Sequence, residues 1–363
     1  MSAKATVAVA VRPSVMEIRE IDIPPIGDDE GLVRIEACGV CGTDYEWFRG
    51  DLDIPCPVIL GHEPLGIIED IGAEASRRWG VKKEDRVAVR SSYRCGTCEA
   101  CRANQGDTCP SGGGFGSTSL ERPPSLWGGF AEYLYLPAGS AVYPVDRQVP
   151  PELAVMFNPL GAGFAWAVNA PKLRPGESIA ILGSGTRGLC SVVAAREAGA
   201  SLVVVTGLGR DEHKLTLARD LGADLAINVE AEDPAERVLD ATGGRGVDVV
   251  LDTTPYAVEP VAQAIRMVKE AGTVVLAGLK GGRPLVDLSS DEIVWKQVTL
   301  KGVRGVEFSA FQHAVETIES QRYPLDRLHT HTFPIEETER ALMTLAGETS
   351  EPAIHVAIVP GSK

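Results

Sequence analysis

Hydrophobic positions follow two different patterns along the chain. Up to about residue 150, short β-branched or alternating runs are separated by clusters of glycine, proline and aspartate. This texture is typical of short strands joined by turns and predicts a β-rich region. The predicted strands cover residues 6–11, 32–36, 58–60, 86–89 and 131–136.

The pattern changes near Pro171, where strand-like runs begin to alternate with helical ones. The predicted strand–helix pairs are 178–182 with 189–197, 202–206 with 212–221, and 247–252 with 260–270, followed by a strand at 273–277. Such alternation predicts an α/β fold with a parallel, doubly wound sheet. The last strand-like run, residues 354–359, could return to the first region.

Length and charge narrow the class of protein. The 363 residues suit two domains better than one. With 50 acidic against 35 basic residues, the net charge of −15 argues against nucleic acid and anionic membranes as partners. No apolar run approaches the roughly 18 residues of a membrane span, and the N-terminal sequence lacks a signal-peptide pattern. We therefore expect a cytoplasmic protein.

Half of the eight cysteines lie close together in the sequence. Cys95, Cys98, Cys101 and Cys109 form the pattern C-x2-C-x2-C-x7-C. Four thiolates at such short spacing can surround one tetrahedral ion, and sulfur ligands suit zinc. The spacing therefore predicts a structural zinc site. An iron–sulfur cluster and a pair of disulfides are the alternatives.

A glycine-rich turn lies between the predicted strand 178–182 and the helix that follows it. It reads Gly183-Ser184-Gly185-Thr186-Arg187-Gly188. In a strand–turn–helix context, this G-x-G-x-x-G pattern predicts a dinucleotide site, with the pyrophosphate at the helix N-terminus.

The end of the next strand bears on the choice between NAD and NADP. An acidic residue there would bind the adenosine ribose hydroxyls of NAD. This chain has Gly207 at that position, with Arg210 close by. Loss of the acid and gain of a guanidinium favour NADP. Alternatively, Arg210 is solvated and Asp211 reaches the ribose.

A second metal site is predicted near the N-terminus. Cys41 follows one predicted strand and His62 follows another. A thiolate and an imidazole at the ends of neighbouring strands can share a zinc ion that keeps an open position. The Asp44 carboxylate could orient His62 by accepting its second ring N–H.

The chain resembles the zinc-containing alcohol and polyol dehydrogenases of the medium-chain dehydrogenase/reductase superfamily. The resemblance rests on residues 41–44, 61–63, the cysteine quartet, 128–133 and 183–188. It implies a GroES-like catalytic domain at 1–160, a Rossmann cofactor domain at 161–300, and a segment at 301–363 that completes the catalytic domain. It also implies a homodimer or homotetramer.

The resemblance further assigns roles to individual residues. Cys41 and His62 would be ligands of a catalytic zinc, and the adjacent Glu63 could move on or off the metal. Thr43 would touch the substrate oxygen and pass its proton outward. Zinc would lower the pKa of the alcohol, and the nicotinamide would accept hydride.

Two positions depart from the family pattern. Asn158 lies where relatives have cysteine or glutamate as a further zinc ligand, and a neutral amide is a weaker ligand. Either Glu63 binds directly or the catalytic zinc is weak or absent. Glu46 replaces a histidine that ends a proton relay, and glucose-dehydrogenase-like relatives also have glutamate there, which makes a polyol or sugar substrate plausible. A solvent-facing Glu46 is the alternative.

The leading hypothesis is an NAD(P)-dependent, zinc-containing dehydrogenase of alcohols, polyols or sugars. One alternative is a related dehydrogenase or carbonyl reductase without tightly held catalytic zinc. The other is a nucleotide-binding relative without catalytic activity.

Overall fold

The computed structural model describes residues 3–103 and 109–361. Their contacts divide the chain into two compact units. Unit 1 consists of Met1–Met156 with Leu328–Lys363, and unit 2 of Phe157–Arg327. The domain boundaries expected at residues 160 and 300 remain predictions about functional domains.

Unit 1 is built on β-sheets. Its strands are β1 (Lys4–Arg12), β2 (Val15–Asp22), β3 (Gly31–Val40), β4 (Val58–Ile59), β5 (Glu63–Ile71), β6 (Arg86–Val89), β7 (Ser92–Tyr93), β8 (Gly113–Gly114), β9 (Tyr133–Leu136), β10 (Val142–Pro144), β17 (His329–Phe333) and β18 (His355–Ile358). The largest sheet has the order β10-β6-β5-β3-β18-β17, with β9 also paired to β3.

The long strand β3 lies inside this sheet, between β5 and β18, and nearly all of its residues are buried. It pairs antiparallel with β5, and Gly39 lies opposite Glu63. It also pairs with the C-terminal strand β18, where Val40 lies opposite Val356. The helices of unit 1 are α1 (Gly42–Arg49), α2 (Ala73–Trp79), α3 (Glu99–Arg102), α4 (Pro151–Ala154) and α12 (Thr338–Ala346).

Unit 2 contains one parallel sheet of six strands. The strands are β11 (Ser178–Leu182), β12 (Leu202–Gly207), β13 (Leu225–Asn228), β14 (Val247–Asp252), β15 (Val268–Leu276) and β16 (Thr299–Gly302). Their spatial order, β13-β12-β11-β14-β15-β16, is that of a Rossmann fold. The predicted α/β class is therefore confirmed, with a parallel sheet in unit 2.

The helices of unit 2 are α5 (Phe157–Gly163), α6 (Thr186–Glu197), α7 (Glu212–Asp220), α8 (Pro234–Ala241), α9 (Glu259–Met267), α10 (Ser290–Trp295) and α11 (Phe308–Ser320). Local sequence explains the start of α8, where the Asp233 carboxylate accepts hydrogen bonds from the Ala235 and Glu236 amides. Such a side-chain cap satisfies N–H groups that a helix start leaves unpaired.

The predicted helix at 260–270 extends too far. Helix α9 ends at Met267, and Val268 begins β15 opposite Val247. Lys269 and Glu270 are good helix formers. Here, however, pairing of Val268 with the neighbouring strand outweighs local propensity.

Among the helices in the described part of the chain, none combines the length and the apolar character needed to cross a membrane.

Candidate active site and metal sites

Two neighbouring elements of unit 1 bring together a cysteine, a histidine and a glutamate. Cys41 lies between β3 and α1, and His62 and Glu63 lie at the start of β5. Because β3 and β5 are paired, with Gly39 opposite Glu63, these residues become neighbours in space. The sulfur, ring nitrogen and carboxylate oxygen of the three all lie within 4.8 Å of one another. We call Cys41, His62 and Glu63 the mixed cluster.

The donor set of the mixed cluster fits a zinc ion with an open position. Thiolate, imidazole and carboxylate are its usual protein ligands, and three of them leave a fourth position for water or substrate. The Nε2 atom of His62 lies 4.0 Å from Oε1 of Glu63. Glu63 is buried, with 2% of its surface exposed. A carboxylate buried in this way needs a cation or hydrogen-bond donors nearby.

Asp44 supports the mixed cluster from behind. Its carboxylate is fully buried and accepts hydrogen bonds from the Cys41 amide at 2.9 Å and the Gly61 amide at 3.1 Å. It also lies 3.0 Å from Nδ1 of His62. Because a carboxylate only accepts, Nδ1–H of the neutral imidazole donates, which leaves the Nε2 lone pair to face a metal.

The electrostatics of His62 reflect these neighbours. Burial lowers its pKa, but the Asp44 carboxylate and the Cys41 sulfur raise it more strongly, so the pKa lies well above the usual value. Cys38, three residues before Cys41, behaves differently. Burial, together with the charges of Asp44 and Glu63, raises the pKa of its thiol well above the usual value. The Cys38 thiol therefore stays protonated, whereas a reactive cysteine needs its thiolate.

Helix α1 carries the other residues predicted for the catalytic site. Thr43 and Glu46 are half-buried and lie three positions apart, so they share one face of the helix. The ring of Trp47 meets the His62 ring edge-on, with centroids 5.6 Å apart. The structure thus brings α1 against the mixed cluster.

The cysteine quartet forms a second cluster in unit 1. The four sulfur atoms lie within 4.8 Å of one another. Sγ of Cys95 is 3.6 Å from that of Cys109 and 4.0 Å from that of Cys101. Four sulfurs around one tetrahedral zinc would be separated by about 3.8 Å, given the usual Zn–S distance. The geometry fits a single ion, and all eight cysteines of the chain, each within the described residues, are thiols rather than disulfides.

Backbone amides of the loop prepare the quartet for a metal. The Cys98 amide donates to Sγ of Cys95 at 3.3 Å, and the Cys101 amide donates to Sγ of Cys98 at 3.4 Å. Hydrogen bonds from the Thr97 and Cys98 amides lower the pKa of Cys95 to about 6. The pKa of Cys101 is raised to about 12, chiefly by burial and by its bond to Cys98. A bound cation would stabilise the remaining thiolates.

The glycine-rich turn of unit 2 joins β11 to α6. Gly183 has a φ of +105°, and its amide donates to the Thr206 carbonyl at 3.2 Å. Gly188 must be glycine because a Cβ there would overlap the Gly183 carbonyl oxygen. Gly185 is the N-cap of α6, which begins at Thr186. Gly185 has no side chain to cap the helix, and the N-terminus of α6 suits a phosphate.

Two further predicted residues meet within unit 2. Asn158 lies in α5 and is buried. The Arg187 guanidinium donates to the Asn158 amide oxygen at 3.5 Å and lies over the Trp166 ring at 5.0 Å. Arg187 is therefore engaged by side chains of α5 and of the helical turn Phe164–Asn169 that follows.

At the end of β12, Gly207 is buried and Arg210 is exposed.

Sequence analysis missed a buried ion pair at the same edge of the sheet. Nζ of Lys280 lies 2.7 Å from Oδ2 of Asp252, which is fully buried at the end of β14. The available signal was an acid that ends a strongly apolar run, a position often used at this edge of α/β sheets.

Comparison with known proteins supports the resemblance to medium-chain dehydrogenases for both unit 1 and unit 2. A family model for the alcohol dehydrogenase GroES-like domain matches residues 27–147. A model for zinc-binding dehydrogenases matches residues 188–320. A Mycobacterium tuberculosis protein, described as a probable alcohol dehydrogenase, is 43% identical over 354 residues, which cover 96% of each chain. The chain belongs to the zinc-containing medium-chain dehydrogenase/reductase family.

Other members of this medium-chain dehydrogenase/reductase family are similar over nearly the whole chain. The L-threonine 3-dehydrogenase of Pyrococcus horikoshii is 33% identical over 341 residues, 92% of each chain. An alcohol dehydrogenase structure from Thermotoga maritima superposes with a TM-score of 0.89 at 26% identity, covering 99% of this chain and 100% of that one. A zinc-binding dehydrogenase structure from Sinorhizobium meliloti, bound to NADP, gives 0.87 at 26% identity, with the same coverage.

Family membership sets the class of reaction. The chain is an oxidoreductase that transfers hydride between a hydroxyl-bearing carbon and a nicotinamide cofactor, and it belongs to the zinc-containing branch. Its substrate is a small molecule with a hydroxyl group.

Proposed function

We propose that this chain is a dehydrogenase of alcohols, polyols or sugars whose catalytic zinc is held by Cys41, His62 and Glu63. The observation that carries the proposal is the mixed cluster, in which three different donor atoms lie within 4.8 Å of one another. Zinc bound there would act as a Lewis acid and lower the pKa of the substrate hydroxyl. Unit 1 is then the catalytic domain and unit 2 the cofactor domain.

The side chains around the cluster have distinct tasks in this proposal. Asp44 holds the His62 ring in the tautomer that presents Nε2 to the metal. The Thr43 hydroxyl takes the proton of the substrate hydroxyl while it gives up its own proton to solvent water. Glu46, one helical turn further, hydrogen-bonds hydroxyl groups of the substrate, since an ordinary carboxylate, with a pKa of about 4.3, is a weak base at neutral pH.

Asn158 leaves Glu63 as the third protein ligand in this proposal. An amide oxygen is a weak zinc ligand, and that of Asn158 already accepts a hydrogen bond from Arg187. We expect Asn158→Glu to tighten zinc binding if Asn158 lies near the metal. Unchanged zinc affinity in this variant would place Asn158 outside the coordination sphere.

The glycine-rich turn would bind the cofactor through Gly183, Gly185, Gly188 and the first residues of α6, Thr186 and Arg187. We propose that NADP is accepted and that the exposed Arg210 meets its 2′-phosphate, because a guanidinium pairs well with phosphate. When bound, the nicotinamide ring accepts the hydride.

The cysteine quartet would hold a second, structural zinc. Its four ligands leave no position for a substrate. The loop it closes has little apolar content of its own, so the metal would take the place of a small core.

The test is to count zinc in the purified chain and to measure turnover with alcohols, polyols, sugars and aldehydes, with NAD and NADP separately. Two zinc ions per chain with turnover on an alcohol, polyol or sugar would support the proposal. One zinc ion, with activity insensitive to a chelator, would favour the zinc-free reductase instead. Cofactor binding without turnover on any substrate would indicate a non-catalytic relative.

We further propose a cytoplasmic homodimer or homotetramer. Strand β16 lies at one edge of the sheet in unit 2, and edge strands present unpaired backbone groups to a partner. Exposed apolar side chains accompany it, including Val294 (71% exposed), Trp295 (81%) and Leu300 (41%). Light scattering should give two or four chains for the natural sequence, and Trp295→Glu should lower that number. A natural chain that is monomeric would contradict this proposal.

A further inference from the structure

Gly207 cannot carry the acid that usually reads the adenosine ribose. It ends β12, where that acid is expected. A Cβ at this position would lie 2.6 Å from Oγ of Ser184 and 3.0 Å from Cδ2 of Leu215. A side chain at residue 207 would therefore require Ser184, in the glycine-rich turn, and Leu215 to move.

The neighbouring strand brings a carboxylate to the same place. Gly207 pairs with Asn228, the last residue of β13. Two residues later, Oε2 of Glu230 accepts a hydrogen bond from the Gly209 amide at 2.7 Å. Oδ1 of Asn228 holds the Glu230 amide at 3.0 Å and so orients the residue. Glu230 is exposed, so its second oxygen is accessible to a ligand.

The Gly209 amide is a second useful feature of this loop. It lies two residues beyond the expected acid and immediately before Arg210. Backbone amides in such loops are good donors to phosphate. Here the amide already donates to the Glu230 carboxylate. The negative charge of this carboxylate would repel a 2′-phosphate, which carries a charge of about −1.5 to −2.

We propose that Glu230, from the end of β13, is the carboxylate that reads the adenosine ribose of the cofactor. Its free oxygen accepts a hydrogen bond from the 2′-hydroxyl of NAD, and its charge opposes the 2′-phosphate of NADP. Arg210 acts in the opposite sense. The opposing effects of Glu230 and Arg210 on the 2′-phosphate therefore set the preference between NAD and NADP. This inference rests on the proposed cofactor site at the glycine-rich turn.

The test compares Glu230→Gln with the natural chain. The glutamine oxygen can still accept from the Gly209 amide, so the loop keeps its hydrogen bond and loses only the charge. Dissociation constants for NADH and NADPH are measured separately by the fluorescence of the bound nicotinamide. Glu232→Gln is the matched control, because Glu232 is exposed on the same segment and pairs with Arg237 at 2.7 Å.

We expect Glu230→Gln to shift the ratio of the two dissociation constants toward NADPH by about tenfold, which is about 1.4 kcal/mol. Arg210→Gln should shift the ratio toward NADH, and Glu232→Gln should leave it unchanged. An unchanged ratio in Glu230→Gln, with both cofactors still bound, would overturn the role of Glu230 alone. If the natural chain binds neither cofactor, the proposed cofactor site fails and this inference with it.

Discussion

The two candidate metal clusters of unit 1 are built in opposite ways. The quartet takes all its donors from one short stretch of sequence, between Cys95 and Cys109, and all of them are sulfur. The mixed cluster takes Cys41 from the junction of β3 and α1, and His62 and Glu63 from the start of β5. One site is therefore local and chemically uniform, whereas the other exists only when two paired strands are in place.

Their supports differ as well. Sulfur atoms of the quartet accept hydrogen bonds from backbone amides of the same loop, such as those of Cys98 and Cys101. The mixed cluster depends on one buried side chain, the Asp44 carboxylate, which holds both Cys41 and His62. A backbone amide remains when its residue is substituted, whereas the carboxylate is lost when Asp44 is replaced. We therefore expect the mixed cluster to be far more sensitive to mutation of its surroundings.

The largest effect should come from Cys41→Ser. The variant loses the thiolate of the mixed cluster, and stabilisation by a Lewis acid accounts for several kcal/mol of catalysis. A loss of about 4 kcal/mol corresponds to a fall of about a thousandfold in kcat/KM. Steady-state rates and zinc content should be measured on the same preparation, and the zinc of the quartet should remain.

Cys56→Ser is the control for Cys41→Ser, since Cys56 is half-buried and belongs to neither cluster. It should keep near-normal turnover. If Cys41→Ser retained most of its activity, the mixed cluster would not be the catalytic metal site.

Next in size is Cys101→Ser, which breaks the quartet. Loss of a structural metal is among the largest single-residue effects on stability, about 3 kcal/mol or more. Zinc content should fall by one ion per chain, the melting temperature should drop, and protease should cleave the loop. Rates per folded molecule should fall much less than in Cys41→Ser. A variant with full zinc content and unchanged melting temperature would show that the quartet holds no metal.

This contrast also explains what the sequence could predict. The quartet can be predicted because its ligands are close in sequence. The glycine-rich turn can be predicted because its strand and helix flank it directly. Pairing between distant segments carries no such signal. The Gly39–Glu63 pairing assembles the mixed cluster. Sequence analysis placed Cys41 and His62 only at the ends of two predicted strands, and Glu63 entered as a ligand through the family resemblance. The helix predicted at 260–270 failed at Val268 for the same reason, because its strand partner Val247 is distant in sequence.

Asp44→Asn should have an intermediate effect. Groups that hold metal ligands in place typically account for 10–100-fold in metal affinity. We expect zinc affinity of the mixed cluster to fall by about that factor, while the quartet keeps its metal. Competition with a chromophoric chelator measures both sites. Asp53→Asn, on the exposed surface, is the control, and equal losses at both clusters would contradict the assignment.

The pH dependence of zinc binding gives a second test of the role of Asp44. Zinc requires the neutral imidazole of His62, and Asp44 raises the pKa of that imidazole. In the natural chain, protons therefore compete with zinc up to the raised pKa, and affinity increases as the pH rises through it. Asp44→Asn lowers the pKa, so its affinity should level off at a lower pH. Parallel curves for the two proteins would show that Asp44 does not act through His62.

Thr97→Val should have the smallest effect and tests the quartet's independence from side chains. The exposed Thr97 hydroxyl donates to Sγ of Cys95 at 3.7 Å, but the Cys98 amide donates to the same sulfur at 3.3 Å. One long, exposed hydroxyl bond adds about 0.5 kcal/mol, the low end of the usual contribution of a hydrogen bond. Zinc affinity of the quartet should therefore change by about threefold or less. A loss as large as that expected for Asp44→Asn would mean that both clusters depend on side chains around them, and the contrast between the two sites would fail.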